Sequence, residues 1–347
     1  MMEKNGKIPG DTKPVIGITL GDLNGVGPEV VIKALQDSRL LNYFTPVVYG
    51  ATRILNYYKK HFGLNEFNYT QAKDDSFSPR KVNVVNCWEE HVEINPGQPS
   101  ESTGIYAFKS LEKATQDALE GKIDAIVTAP INKKIIQSDS FQFAGQTEYL
   151  TQKSGENDSI MLMVSEDFRV GLVTTHVALK DVPGLITAER IGAKIRIFLN
   201  SLKKDFSIPK PKLAVLSLNP HASDEGLFGN EENDVIKPVI EDFKNQGHLV
   251  YGPYPSDGFF GSSQFRNFDG ILAMYHDQGL TPFKAISFET GVNYTGGLKF
   301  IRTSPDHGTA YNIAGKNVAS ESSLRSAIFL AKEIYYSRNH LLADKTG

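Results

Sequence analysis

Cysteine is nearly missing from this chain of 347 residues: Cys87 is the only one. A single thiol excludes an intrachain disulfide and any metal site built from several cysteines. Lying in the run 82–88, it reads as a small buried side chain rather than a nucleophile. Long apolar runs are missing too. None approaches the ~20 residues that span a bilayer, and residues 1–13 lack the apolar core of a signal peptide. Charge of one sign does not dominate: 37 Lys and Arg stand against 40 Asp and Glu, a formal net charge of -3. No long-range field therefore favours nucleic acid or an anionic membrane. These absences lead us to expect a cytoplasmic protein without a nucleic-acid or membrane partner.

What is present is ordinary for a soluble globular chain, with 40% hydrophobic and 22% charged residues. The length suffices for two lobes. Short apolar runs at 15–20, 46–49, 82–85, 123–128, 160–164, 170–175, 213–218 and 270–274 read as strands. Between them, 106–119, 187–202 and 234–245 carry the spacing of amphipathic helices, and a last helix is expected over about 323–336. This alternation predicts an α/β fold with many parallel strands.

Three histidines take equivalent places: His176, His221 and His276 each follow one of these strands. In open α/β sheets, ligands bind outside the carboxyl ends of the strands. Three imidazoles delivered there suit a divalent metal such as Zn²⁺, Co²⁺ or Ni²⁺, with positions left open for substrate. A histidine taken singly more often caps a strand or bonds a loop. The recurrence brings the two readings level.

Residues 281–304 form a Gly-rich stretch poor in helical pattern, and it carries Lys284, Asn293 and Arg302. A guanidinium fork and an ammonium suit a phosphate or carboxylate; a solvated surface run is the plainer reading. The loop 21–29 joins a strand to a helix, so its amides are placed to face an anion. It lacks the third glycine of a Rossmann fingerprint and the Gly-Lys-Ser/Thr of a P-loop, and a structural turn is an equal reading.

Several motifs then occur in one order. They are Gly-Ile-Thr-Leu-Gly-Asp (17–22), Gly-Val-Gly-Pro-Glu (25–29), Val-Thr-Ala-Pro-Ile-Asn-Lys (127–133) and Thr-Thr-His (174–176). After them come Leu-Asn-Pro-His-Ala (218–222), Phe-Gly-Asn-Glu-Glu (228–232) and Gly-Pro-Tyr-Pro-Ser-Asp (252–257). The most specific are Ala-Met-Tyr-His-Asp-Gln-Gly (273–279) and Phe-Ile-Arg-Thr-Ser-Pro-Asp-His-Gly-Thr-Ala (300–310). Taken together the chain resembles the 4-hydroxythreonine-4-phosphate dehydrogenase family of vitamin B6 biosynthesis, from near residue 15 to near residue 320.

The resemblance implies an isocitrate/isopropylmalate dehydrogenase-like fold of two α/β lobes with a central cleft. We expect residues 1–140 plus 270–347 in the first lobe, with the NAD-binding loop. Residues 141–269 form the second, with the dimer interface and metal ligands. It implies a homodimer with a shared active site, in which the His176 strand of one subunit completes the pocket of the other. It assigns the divalent metal, zinc, cobalt or magnesium, to His176, His221 and His276. Substrate contacts fall on Gln146, Thr147, Lys284, Asn293 and Arg302. NAD, with NADP as an alternative, falls on the adenosine loop 307–315 through His307, Gly308, Thr309, Ala310 and Asn312. Asp257 is the candidate general base.

The implied reaction oxidises 4-phosphooxy-L-threonine to 2-amino-3-oxo-4-phosphooxybutanoate, which decarboxylates to 3-amino-2-oxopropyl phosphate. A sister activity on threonate or erythronate 4-phosphate is the nearest alternative, followed by a metal-dependent hydrolase and a non-catalytic metal-binding scaffold. The chain departs from the family pattern in Gln146, where a histidine is usual, in Asn312, where aspartate is usual, and in Gly258, where a small hydroxyl residue is usual. Gln146 still donates and accepts hydrogen bonds but carries no charge.

Overall fold

The computed structural model describes residues 13–73, 76–287 and 290–343. They form two compact units, residues 13–156 with 298–343, and Asn157–Gly297. The first unit begins with β1 (Val15–Thr19), α1 (Gly27–Leu35), β2 (Thr45–Gly50) and α2 (Thr52–Phe62). It continues through β3 (Tyr69–Gln71), β4 (Val82–Asn86), α3 (Glu101–Leu119), β5 (Ala125–Thr128) and α4 (Gln146–Lys153). The second unit holds β6 (Ile160–Ser165), β7 (Phe168–Leu172), α5 (Val182–Leu185), α6 (Ala188–Lys204) and β8 (Lys212–Leu216). It ends with α7 (Lys237–Asn245), β9 (Leu249–Tyr254), α8 (Ser256–Gly261), β10 (Gly270–Ala273), α9 (His276–Ser287) and β11 (Val292–Gly296). The chain then returns to the first unit as β12 (Ile301–Pro305) and α10 (Ser322–Ala343).

In the first unit the strands run in the order β3-β4-β2-β1-β5-β12, every pair parallel. Strands β2 and β5 are buried along their whole length, β1 from its second residue on. Burial on both faces is why they appear in the sequence as unbroken apolar runs. Helix α3 lays Ala107, Phe108, Leu111 and Ala114 against Val47, Tyr49 and Ile126 to build the core. Cys87 packs at the margin of that core, and burial pushes its thiol up to about 12. Burial thus favours the neutral thiol, in keeping with a packing role.

The second unit orders its strands β11-β6-β7-β10-β8-β9. Strands β7, β10, β8 and β9 are mutually parallel, whereas β6 runs antiparallel to both neighbours. Its core joins Val170, Leu172, Leu216 and Ile271 to Leu280 and Phe283 of α9. The two-unit α/β architecture expected from the sequence is present.

Its boundaries differ from the expected ones. Residues 270–297 belong to the second unit because β10 is hydrogen-bonded between β7 and β8, and β11 is paired with β6. Residues 141–156 belong to the first because Phe141, Tyr149 and Leu150 fill its core. The stretch 281–304, read as poor in helical pattern, carries regular elements. Lys284 sits on α9, Asn293 on β11 and Arg302 on β12. No helix among the described residues is long and apolar enough to cross a membrane.

Candidate functional site

In the second unit, β7, β10 and β8 are adjacent and parallel. Their carboxyl ends therefore share one edge, and each is followed by a candidate histidine: His176, His276 and His221. The backbone zips the first two segments together beyond the strands. Val173 N donates to Ala273 O at 2.8 Å, and Thr174 reaches Met274 O through its amide at 3.2 Å and its hydroxyl at 2.7 Å. Two residues on, the rings of His176 and His276 lie 5.8 Å apart between centroids at 42°.

His276 opens α9, and its Nδ1 lies 2.6 Å from Asp277 Oδ1. A carboxylate accepts here, so the bond selects the form with a proton on Nδ1; in the neutral ring Nε2 is then the nitrogen that can face a ligand. Gln278 ties the neighbouring strand ends together. Its Oε1 accepts from Met274 N at 2.7 Å, while Nε2 donates to Ser217 O at 2.6 Å and to Ser256 Oγ at 3.2 Å. Residue-type reasoning missed Gln278; its signal was its place in the motif 273–279.

His221 sits on an unusual support. Residues 221–225 all have positive φ, between 45° and 69°, and none is glycine. Left-handed backbone costs roughly 1–2 kcal/mol per residue, so the surroundings must hold it. Glu232, fully buried, accepts from the amides of Leu218 and Asn219 at 2.8 Å and from Asn219 Nδ2 at 2.9 Å. The His221 ring faces Phe228 at 6.2 Å. The structure thus joins His176 to His276 within one chain. Among the described residues no three His, Cys, Asp or Glu side chains cluster closely enough to hold a metal ion.

Asp257 lies exposed in the first turn of α8. Lys284 is half-buried on α9, and Asn293 Oδ1 is buried without a partner on β11.

In the first unit, Arg302 of β12 is 4% exposed. Its fork is aimed by two hydroxyls: Nη2 and Nε donate to Thr128 Oγ1 at 2.8 and 3.2 Å, and Nη1 to Thr147 Oγ1 at 3.3 Å. Burial brings its pKa down to about 10, against the pull of Glu148, so the cation persists at neutral pH. Gln146, the first residue of α4, donates from Nε2 to Ala129 O at 3.2 Å. A carbonyl only accepts, so this bond fixes the amide and leaves Gln146 Oε1 buried and unpartnered.

Four amides of the loop 21–29 are already bonded within the fold. Asp22 N bonds Pro130 O, Asn24 N bonds Asp22 Oδ1, Gly25 N bonds Asp22 O, and Val26 N bonds Thr309 O. The structural reading holds here. At Gly21, φ is 65° and a Cβ would come within 2.2 Å of Pro130 O, so only glycine fits. In the segment 307–312, His307 Nδ1 donates to Gly308 O at 3.0 Å, since the carbonyl only accepts, and its Nε2 is buried with no partner. Gly308 and Asn312 are exposed, Thr309 and Ala310 half-buried.

Buried polar atoms without partners are uncommon and call for a ligand or another cause. Among the described residues seven side chains carry one. Three of them, Gln146, Asn293 and His307, are positions to which the sequence resemblance assigns substrate or cofactor.

Comparison with known proteins gives the family. The family model described as pyridoxal phosphate biosynthetic protein PdxA matches residues 42–331. The chain is 47% identical over 339 residues to a 4-hydroxythreonine-4-phosphate dehydrogenase of Bacteroides thetaiotaomicron, covering 97% of this chain and 93% of that protein. It is 39% identical over 326 residues to an Oceanobacillus iheyensis protein provisionally named D-threonate 4-phosphate dehydrogenase, covering 93% and 98%. Among solved structures, the 4-hydroxythreonine-4-phosphate dehydrogenase of Klebsiella pneumoniae superposes with a TM-score of 0.79 at 34% identity, covering 93% of this chain and 98% of that one. Matched by the family model over most of its length and by such relatives from end to end, this chain belongs to the PdxA family of pyridoxal phosphate biosynthetic proteins.

Proposed function

We propose that this chain is a dehydrogenase that oxidises 4-hydroxythreonine 4-phosphate with NAD and a divalent metal. The observation that carries the reading is the coincidence of orphaned buried polar atoms with Gln146, Asn293 and His307. The names of its relatives supply the substrate.

His176, His221 and His276 would hold the metal. The paired rings of His176 and His276 and the free Nε2 of His276 fit such an ion. When bound, it would polarise the substrate hydroxyl and stabilise the enolate left by decarboxylation. The segment 307–312 would hold NAD, and His307 Nε2 offers an acceptor to one of its hydroxyls. NAD when bound would take the hydride from the carbon bearing the hydroxyl.

The protein's own part is orientation and charge. Arg302, already aimed by Thr128 and Thr147, gives the phosphate a bidentate partner, with Thr147 beside it. By the family resemblance Lys284 and Asn293 would also contact the substrate, Asn293 as an acceptor through Oδ1. Gln146 Oε1 accepts from a substrate N–H or O–H. Asp257, exposed on α8, is the candidate that takes the hydroxyl proton. Loss of carbon dioxide from the 3-keto acid then gives 3-amino-2-oxopropyl phosphate.

The same reading makes the enzyme a cytoplasmic homodimer with shared sites. A second reading, oxidation of threonate 4-phosphate, is favoured by the uncharged Gln146 and by the Oceanobacillus relative. Steady-state rates of NADH formation on the amino and hydroxy substrates decide between them. A higher kcat/KM on the amino acid supports the proposal; turnover of the hydroxy acid alone contradicts it.

A further inference from the structure

Two carboxylates near the start of the chain are buried and take no part in the chemistry above. Asp22 is 1% exposed and Glu29 fully buried. Burying a carboxylate is costly unless hydrogen bonds replace its water, and each draws one such bond from a segment far along the chain, although Glu29 Oε2 is left without a partner. Asp22 Oδ2 accepts from the hydroxyl of Tyr311 at 2.6 Å, while Oδ1 holds Asn24 N at 2.9 Å and Thr103 Oγ1 at 3.2 Å. Glu29 Oε1 accepts from Ala319 N at 2.9 Å and from Lys33 Nζ at 2.7 Å. Lys33 in turn donates to Asn317 O and Ala319 O at 3.1 and 3.0 Å. Midway, Val26 N bonds Thr309 O at 2.9 Å.

The segment 309–319 is thus gripped near its start, at Thr309 and Tyr311, and at its end. It needs the grip. Ala310 has left-handed backbone, φ 43°, a conformation alanine does not adopt unaided, and it lies between the gripped Thr309 and Tyr311; Asn317, φ 60°, is held through its own carbonyl.

We infer that Asp22 and Glu29 are positioning residues for the dinucleotide: acting through Tyr311 and Ala319, they hold 309–319 in the shape that receives the adenosine. The inference depends on the assignment of 307–315 to the cofactor. A preformed loop spares the ordering cost at binding, so loosening it weakens the nucleotide and leaves the hydride step largely alone.

The test is calorimetric titration of the full-length protein with NAD, substrate absent, alongside steady-state kinetics. Tyr311→Phe removes one hydroxyl and little else. It should raise the Kd and KM for NAD about tenfold, the worth of one charge-assisted hydrogen bond. At saturating NAD, kcat should fall by less than about threefold, and KM for the phosphorylated substrate should not move. Asp22→Asn keeps an oxygen for Asn24 and Thr103 and a polar atom for Tyr311. It should recover most of the affinity that Asp22→Ala loses; Glu29→Ala should resemble Tyr311→Phe, and Glu29→Gln, which keeps Oε1 for Ala319 N and Lys33 Nζ, should stay near wild type. If Asp22→Ala does not fold, Tyr311→Phe decides alone. A Tyr311→Phe protein whose Kd for NAD stays within about twofold of wild type overturns the inference, whatever its melting temperature. Wild-type protein that binds neither NAD nor NADP overturns the cofactor assignment, and this inference with it.

Discussion

The rings of His176 and His276 face each other at 5.8 Å within a single chain, brought there by hydrogen bonds that prolong the β7–β10 ladder beyond its last residues. Both stand at a strand edge outside the core. Chelation should therefore abolish turnover while circular dichroism and melting change little. His221→Ala should reproduce the chelated enzyme. Gln278→Leu, which cuts the tie between Met274, Ser217 and Ser256, should lower metal affinity by about 10- to 100-fold. Near-wild-type activity in metal-free His221→Ala would disprove the ligand assignment.

Gln146 bears on the substrate. Its amide is fixed by Ala129 O and presents an uncharged acceptor. Gln146→His restores a group that donates and can carry charge, and should raise kcat/KM on 4-hydroxythreonine 4-phosphate by roughly tenfold to a hundredfold. A fall on both the amino and the hydroxy substrate would mean that the rest of the pocket has adapted to glutamine.

Asn312 is exposed in the segment assigned to the cofactor. A carboxylate there would accept from the ribose hydroxyls and repel a 2′-phosphate; the amide does not repel. Asn312→Asp should raise the NAD/NADP ratio of kcat/KM, and an unchanged ratio would refute this.

The quaternary proposal is tested by mixing. His176 and His276 meet in one chain, so co-expressed His176→Ala and His276→Ala should not rescue each other. If His221 and Arg302 serve one site from different subunits, His221→Ala with Arg302→Ala should regain up to one intact site per mixed dimer. Demonstrated mixing without recovery would rule out a shared site of that composition.

Strands buried on both faces, such as β2 and β5, were legible because nothing polar interrupts them. Helix α9 was not, since Gly279 and Pro282 break its pattern although Leu280 and Phe283 anchor it. Nor was β11, which lies among the glycines of 291–297, nor the short β12 that follows, so 281–304 read only as a Gly-rich stretch poor in helical pattern. Domain edges followed strand pairing, which composition does not reveal. The three histidines were found because strand ends are readable. Gln278 and Glu232 escaped because a buried amide or carboxylate declares its role only through the backbone groups it bonds.

The most direct test is to supply purified protein with 4-hydroxythreonine 4-phosphate, NAD and a divalent metal, and to follow NADH absorbance together with carbon dioxide release. The account predicts metal-dependent NADH formation with one carbon dioxide per NADH. Absence of NADH from protein that binds both metal and NAD, or NADH from threonate 4-phosphate alone, would contradict it.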